Sequence, residues 1–201
     1  MGPLALVGGA VSCPMAWQNQ LGLPPKTYVC GYCSANVGSD RGFPNAAGLS
    51  AGMIYVCPVC DKPTFFQLQS NTRMPGAPLG NPVQHVPGDV NKLYEEARTC
   101  CAASAYTAAV LLCRKLLMNI AVSEGAPAGQ SFMQYVEYLA ANNYVPPKGR
   151  VWVDHIRKKG NEATHEIQIM DERDALDLIA FSEMLLKFIF EFPKKVPGTR
   201  P

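Results

Sequence analysis

The chain has 201 residues, with 18 lysines and arginines against 16 aspartates and glutamates, and 48% of it is apolar. That length admits one or two small domains, and a formal charge of +2 does not by itself call for nucleic acid as a partner. No continuous apolar run approaches the roughly 18 residues of a membrane span. Met1–Ala10 has no basic segment and is broken by Pro3 and several glycines, which makes a poor signal peptide. The expectation is a cytoplasmic protein with no membrane partner.

The first motif in chain order is a pair of pairs. Cys30-Gly-Tyr-Cys33 and Cys57-Pro-Val-Cys60 are separated by residues 34–56, and each follows a β-like run, Thr27–Val29 and Met53–Val56. A CxxC turn aims two sulfurs at one centre, and two such turns complete the tetrahedron of a structural zinc site. The shell is closed at Cys30, Cys33, Cys57 and Cys60, so the zinc is structural and not catalytic. Lys26, Arg41 and Lys62 lie near enough in sequence to offset the thiolate charge. The competing reading, two disulfides, suits a secreted protein. Cys100, Cys101 and Cys113 fall in an apolar helical stretch and read as small buried hydrophobes; Cys13 has no assigned role.

Composition changes near residue 88. Residues 1–88 carry Lys26, Arg41, Lys62 and Arg73 against Asp40 and Asp61, so the excess positive charge lies there. Pro75, Pro78, Pro82 and Pro87 make residues 74–88 an extended linker with little helix. His85 within it reads as an exposed loop residue.

From Asp89, a good N-cap, the pattern turns helical. The first helix repeats Val90, Leu93, Ala97, Cys100 and Cys101. Ser104 starts a second with Ala108, Leu111, Leu112, Leu116 and Ile120 on its apolar face, ending at Gly125–Gly129. Ser131 caps a third through Phe132, Tyr135, Val136 and Leu139. A fourth runs from about Gly149 to Glu166 with Val153, Ile156, Gly160, Ala163 and Ile167 as its seam. Asp171 and Asp174 open a fifth through Leu178, Ile179, Leu185, Leu186 and Ile189, ending before Pro193. The fold class is therefore α+β: a small zinc ribbon of short β strands over 1–73, a linker over 74–88, a mainly α bundle of roughly five helices over 89–192, and a flexible tail over 193–201.

Chemistry concentrates on the fourth helix. Arg157, Asn161 and His165 recur every fourth residue, an advance of about 40° per step, so all three can face one groove. A guanidinium matches phosphate oxygens with two parallel donors, and an imidazole moves protons near neutral pH. Asp154 can orient Arg157 or Lys158. Lys148, Arg150, Lys158 and Lys159 make the surroundings basic. The same residues also fit a structural role, with Asn161 and His165 closing hydrogen bonds between helices and the cations on a solvated face. His155 reads as a surface or packing residue. Arg114, in an otherwise apolar helix, needs a partner if buried.

Lys92–Leu117, with Ile156-Arg-Lys-Lys-Gly-Asn-Glu-Ala-Thr-His165, resembles the bacterial domain of unknown function numbered 4145, over about residues 89–192. Members often carry an N-terminal zinc ribbon. That family is similar to the HEPN superfamily of helical bundles, frequent in toxin–antitoxin and antiviral systems, many of them metal-independent ribonucleases acting as dimers. The resemblance implies a HEPN-like fold, a homodimer through the helical domain and a basic role for Arg114. The HEPN pattern sets a shorter Arg-to-His spacing than residues 158–164 leave here. Lys158 and Lys159 have that spacing without the planar fork of arginine, and Met118 stands where an acidic residue is expected.

Two functions are carried forward. One is a binding module of a defence system that contacts RNA, DNA or a partner protein, with Arg114, Lys148, Arg150, Lys158 and Lys159 as nucleic-acid contacts. The other is a ribonuclease in which the RNA 2′-hydroxyl attacks the adjacent phosphate. There His165 serves as acid or base, Asn161 lies beside it, and Arg157, with Arg114, stabilises the developing charge.

Overall fold

The computed structural model describes residues 17–45, 51–67, 69–70, 72–146, 149, 151–156 and 169–195. Five strands, β1 (Leu21–Val29), β2 (Asn36–Pro44), β3 (Met53–Val56), β4 (Pro63–Gln67) and β5 (Thr72–Met74), pair in sequence order as an antiparallel meander. The β-like runs before the cysteine pairs are the end of β1 and the whole of β3. Pro24 and Pro25 have no N–H to give the ladder, and β1 shifts register against β2 between Gly22 and Lys26. Inward residues of four strands make a small core of Tyr28, Val37, Met53, Tyr55 and Phe66, joined to Cys30 and Cys57. Its rings meet edge to face, Tyr28 to Phe66 at 5.1 Å and Tyr55 to Phe66 at 5.5 Å.

The second half is helical: α1 (Gly88–Ala102), α2 (Tyr106–Ser123), α3 (Phe132–Ala141), α4 (described over 151–156) and α5 (Glu172–Leu186). Thus the architecture is α+β, as the sequence predicts. Helix α2 lies at the centre, packed against α1, α3 and α5. It is long and apolar enough to cross a membrane by length and composition. Here its Leu116, Leu117 and Ile120 are wholly inside the bundle with Leu139, Ile156, Leu178, Ile179 and Leu185. Cys101 and Cys113 are buried as expected, and Cys100 is partly so.

Helix ends and faces separate what is local from what is not. Ser131 forms a capping box with Gln134, and Phe132, Tyr135, Val136 and Leu139 are the buried face of α3, as read. Asp171 and Asp174 form a second capping box at α5. Asp89 is not a cap: α1 begins one residue earlier, after Pro87, and Asp89 sits in the first turn, where its charge still complements the helix dipole. Ser104 is not a cap either, for its φ of 58° leaves it outside α2, which begins after Ala105. Ala108 and Leu111 are exposed while Ala109, Val110, Cys113, Arg114 and Leu117 are buried, so the inner face of α2 is rotated from the expected one. Nearly every side of this helix is apolar, and tertiary packing chose the face. The last helix does not stop before Pro193. It passes through a π-helical turn, Lys187–Glu191, into α6 (Phe192–Lys195). The widened turn accommodates the missing N–H and the ring of Pro193.

Of residues 74–88, expected as linker, Met74 belongs to β5 and Gly88 opens α1, while residues 75–87 contain no helix and form a strap over the bundle. Val83 is buried in the helical core. The Tyr94 hydroxyl donates to Asn81 O at 3.0 Å, and the Gln84 N–H donates to Glu191 at 3.0 Å. Gly80, at φ 67°, leaves a Cβ only 2.6 Å from Ile179, so a side chain there clashes with α5.

Candidate metal centre

The two CxxC turns are near copies. In the first, Cys30 N–H donates to Ala35 O at 2.9 Å and Ser34 N–H to Cys30 O at 3.0 Å; in the second, Cys57 N–H donates to Lys62 O at 3.0 Å and Asp61 N–H to Cys57 O at 2.9 Å. Each closes on a residue of positive φ, Ser34 at 60° and Asp61 at 55°. This geometry tips two sulfurs of each turn inward from the ends of β1 and β3.

All four Sγ atoms lie within 4.8 Å of one another. Cys30 Sγ to Cys60 Sγ is 3.7 Å and Cys33 Sγ to Cys57 Sγ is 3.9 Å. A tetrahedron with metal–sulfur arms of about 2.3 Å has edges of about 3.8 Å, whereas a disulfide brings sulfurs to about 2.05 Å. The cysteines are free thiols in a cage that fits one metal ion. Burial opposes ionisation here. At Cys30 the N–H groups of Tyr32 and Cys33 and the neighbouring sulfurs outweigh it and hold the thiol below its usual value. At Cys60 burial prevails and pushes the thiol up to about 12. Four thiols this close resist joint ionisation, and a divalent cation reverses that. The set is all sulfur and complete at four, which leaves no position for a reacting water.

The expected counter-charges surround the cage unequally. Lys62 Nζ lies 5.0 Å from the centre of the Tyr32 ring, on the first turn, and Lys26 Nζ lies 4.6 Å from that of Phe66. Arg41 lines a cleft behind the second turn with Ser39, Asp40, Cys57 and Asp61. The Trp17 indole donates to Asp61 O at 2.6 Å and ties the residues before β1 to that turn.

Of the other sequence-predicted residues, Arg114 is described. It is 9% exposed, its guanidinium stands 4.3 Å from the Phe132 ring, and its buried Nη1 has no hydrogen-bond partner among the described residues. Burial lowers its pKa. Lys148, Arg150, Arg157, Lys158, Lys159, Asn161 and His165 lie outside the described residues, as does Cys13. His155 is a surface residue whose Nε2 meets Asp177 Oδ2 at 2.8 Å, joining α4 to α5. His85 is exposed, as expected.

Sequence reasoning missed Arg98, which is 2% exposed and donates to four acceptors, one of them Ser34 beside Cys33. Its signal was present: an arginine directly after Ala97 on the apolar stripe of α1 needs buried partners.

Residues 95–200 match the domain of unknown function DUF4145. No curated protein and no solved structure matches the chain. The match covers more than half of the sequence, so the chain belongs to the DUF4145 family.

Proposed function

We propose that this DUF4145 protein is a zinc-stapled module that binds nucleic acid, acting as a dimer through a HEPN-like helical domain in a bacterial antiviral or toxin-type defence system. The observation that carries the metal part is the four-sulfur cage, whose edges suit zinc and whose closed shell gives it a structural role. Cys30, Cys33, Cys57 and Cys60 would hold the ion, and the chemistry it supplies is cross-linking of the two turns. The nucleic-acid part is supported by the tip of the first turn. Tyr32 is 47% exposed with Lys62 over its ring, an aromatic face and a cation suited to a base and its phosphate. The basic residues expected around the fourth helix would extend that surface.

The test is binding of fluorescent single-stranded RNA and DNA by the zinc-loaded full chain at several salt concentrations. Binding that weakens with salt and falls several-fold in Tyr32→Ala and Lys62→Ala, with zinc retained, supports the reading. Binding unchanged in both variants overturns the role of the turn, and no binding to either polymer points to a protein partner. RNA cleavage in chelator, abolished by His165→Ala, would replace the module by a ribonuclease.

A further inference from the structure

Arg98 sits where three segments of the chain meet. Its Nε donates to Leu79 O at 3.1 Å and its Nη2 to Gly80 O at 3.1 Å, both on the strap. Nη1 donates to Glu95 on its own helix at 2.6 Å. Nη2 also donates to Ser34 Oγ at 2.9 Å, on the first cysteine turn. Ser34 is the residue that closes this turn, with φ 60° and its N–H on Cys30 O at 3.0 Å. The place of its hydroxyl is therefore set by the turn that carries Cys30 and Cys33.

A steric contact runs beside this bond. Gly31, between the two cysteines, lies so close to the strap that a Cβ would stand 2.4 Å from Gly76 O and 2.7 Å from Pro75 Cγ. The Gly76 N–H donates in turn to Ala102 O at 2.7 Å, satisfying a carbonyl at the end of α1. The first turn is thus seated on the strap and the strap on α1.

We propose that metal occupancy of the four-cysteine centre controls the clasp of the ribbon on the helical domain. This rests on the metal reading above. With the cation bound, the first turn is rigid and presents Ser34 to Arg98. Without it the turn relaxes, and Arg98 keeps its burial while losing an Nη2 acceptor. A guanidinium donor left unmet in the interior is costly because water does not replace the lost partner. The strap and the C-terminal turn of α1 therefore loosen together. The coupling is reciprocal: a broken clasp weakens metal binding by the factor with which metal tightens the clasp.

The two tryptophans separate the halves. Trp17 bonds to the ribbon, and Trp152 packs on Phe181 in the bundle with ring centres 5.2 Å apart. In full-length Trp17→Phe, Trp152 fluorescence follows unfolding of the bundle alone. Zinc removal by chelator is expected to lower that midpoint by about 5 °C and, in the unsubstituted chain, to speed amide hydrogen exchange in α1 and residues 75–84. Ser34→Ala and Ser34→Gly should still take up one zinc, several-fold more weakly, and lose most of the chelator-dependent shift. The glycine variant relieves the positive φ, so a loss there belongs to the missing oxygen. A protein that binds zinc but shows the same Trp152 transition and exchange without it overturns the clasp and leaves the metal centre standing. So do Ser34 variants that keep the full shift. A protein that takes up no zinc overturns both.

Discussion

Glu183 on α5 accepts from both ends of one residue of the strap, the Asn81 N–H at 2.8 Å and Asn81 Nδ2 at 3.0 Å, and also pairs with Lys187. Burial opposes its charge, but Lys187 and Asn81 outweigh that and hold its pKa below the ordinary carboxylate value. The depressed pKa means that its stabilisation is present above the unfolded value, about 4.3, and is lost as pH falls through the lower folded value. Glu183→Ala removes both charge-assisted bonds to Asn81, which is exposed and turns to water instead, and should cost about 1 kcal/mol near neutrality. Urea titrations from pH 7 downward should show the wild type losing stability below about pH 4.3, and the variant losing less over that interval. Equal acid slopes would overturn this role for Glu183.

The metal centre makes the second prediction. Purified protein should carry about one zinc per chain, and uptake should release protons because each sulfur binds as thiolate. Cys57→Ser should weaken zinc by more than about 100-fold, since loss of even an outer partner costs up to that much. Cys101→Ala and Cys113→Ala, in the separate helical core, should leave zinc content unchanged. Metal analysis with a competing chelator checks all three variants. A stable protein free of metal would sink the centre.

What could be read in the sequence was what is local. The CxxC turns are set by residues within a few positions of each cysteine, and their spacing alone pointed to the cage. The cap and stripe of α3 lie within one short segment, Ser131–Leu139, and were legible for the same reason. The inward face of α2 was not, because Ala108 and Leu111 are as apolar as the buried Ala109 and Val110; the choice belongs to α1, α3 and α5. Nor did the prolines of residues 74–88 announce a fastened strap. Its anchors, Arg98, Glu183 and Glu191, lie far along the chain, and such pairings leave no periodic trace. Of the candidate phosphate site, Arg157, Asn161 and His165 lie outside the described residues, and Arg114 alone has a known setting.

Arg114 therefore makes the third prediction. Its guanidinium is buried against Phe132 with one nitrogen unpaired among the described residues. An apolar side chain of similar length removes a desolvated charge while keeping the packing. Arg114→Met should leave stability within about 1 kcal/mol of wild type or raise it. If the residue serves only the bundle, RNA binding is unchanged as well. A variant of unchanged stability that loses RNA binding would instead assign Arg114 to the phosphate surface. Thermal unfolding and RNA titration on the same preparation distinguish the two.

The two serines read as helix caps make the last prediction, because the structure gives them opposite roles. Ser131 accepts the Gln134 N–H, and its own N–H donates to Gln134 Oε1 at 2.8 Å. Ser131→Ala removes one arm of this box and should cost about 1 kcal/mol. Ser104 stands at φ 58° between α1 and α2 and does not cap α2. A left-handed conformation costs a side-chain-bearing residue about 1 kcal/mol that glycine does not incur. Ser104→Gly should therefore be neutral or stabilising, even though the larger entropy of an unfolded glycine offsets part of the gain. Urea midpoints of the two variants, measured side by side, should move in opposite directions or show a loss for Ser131→Ala alone. Equal losses would mean that Ser104 holds α2 in a way its backbone conformation does not reveal.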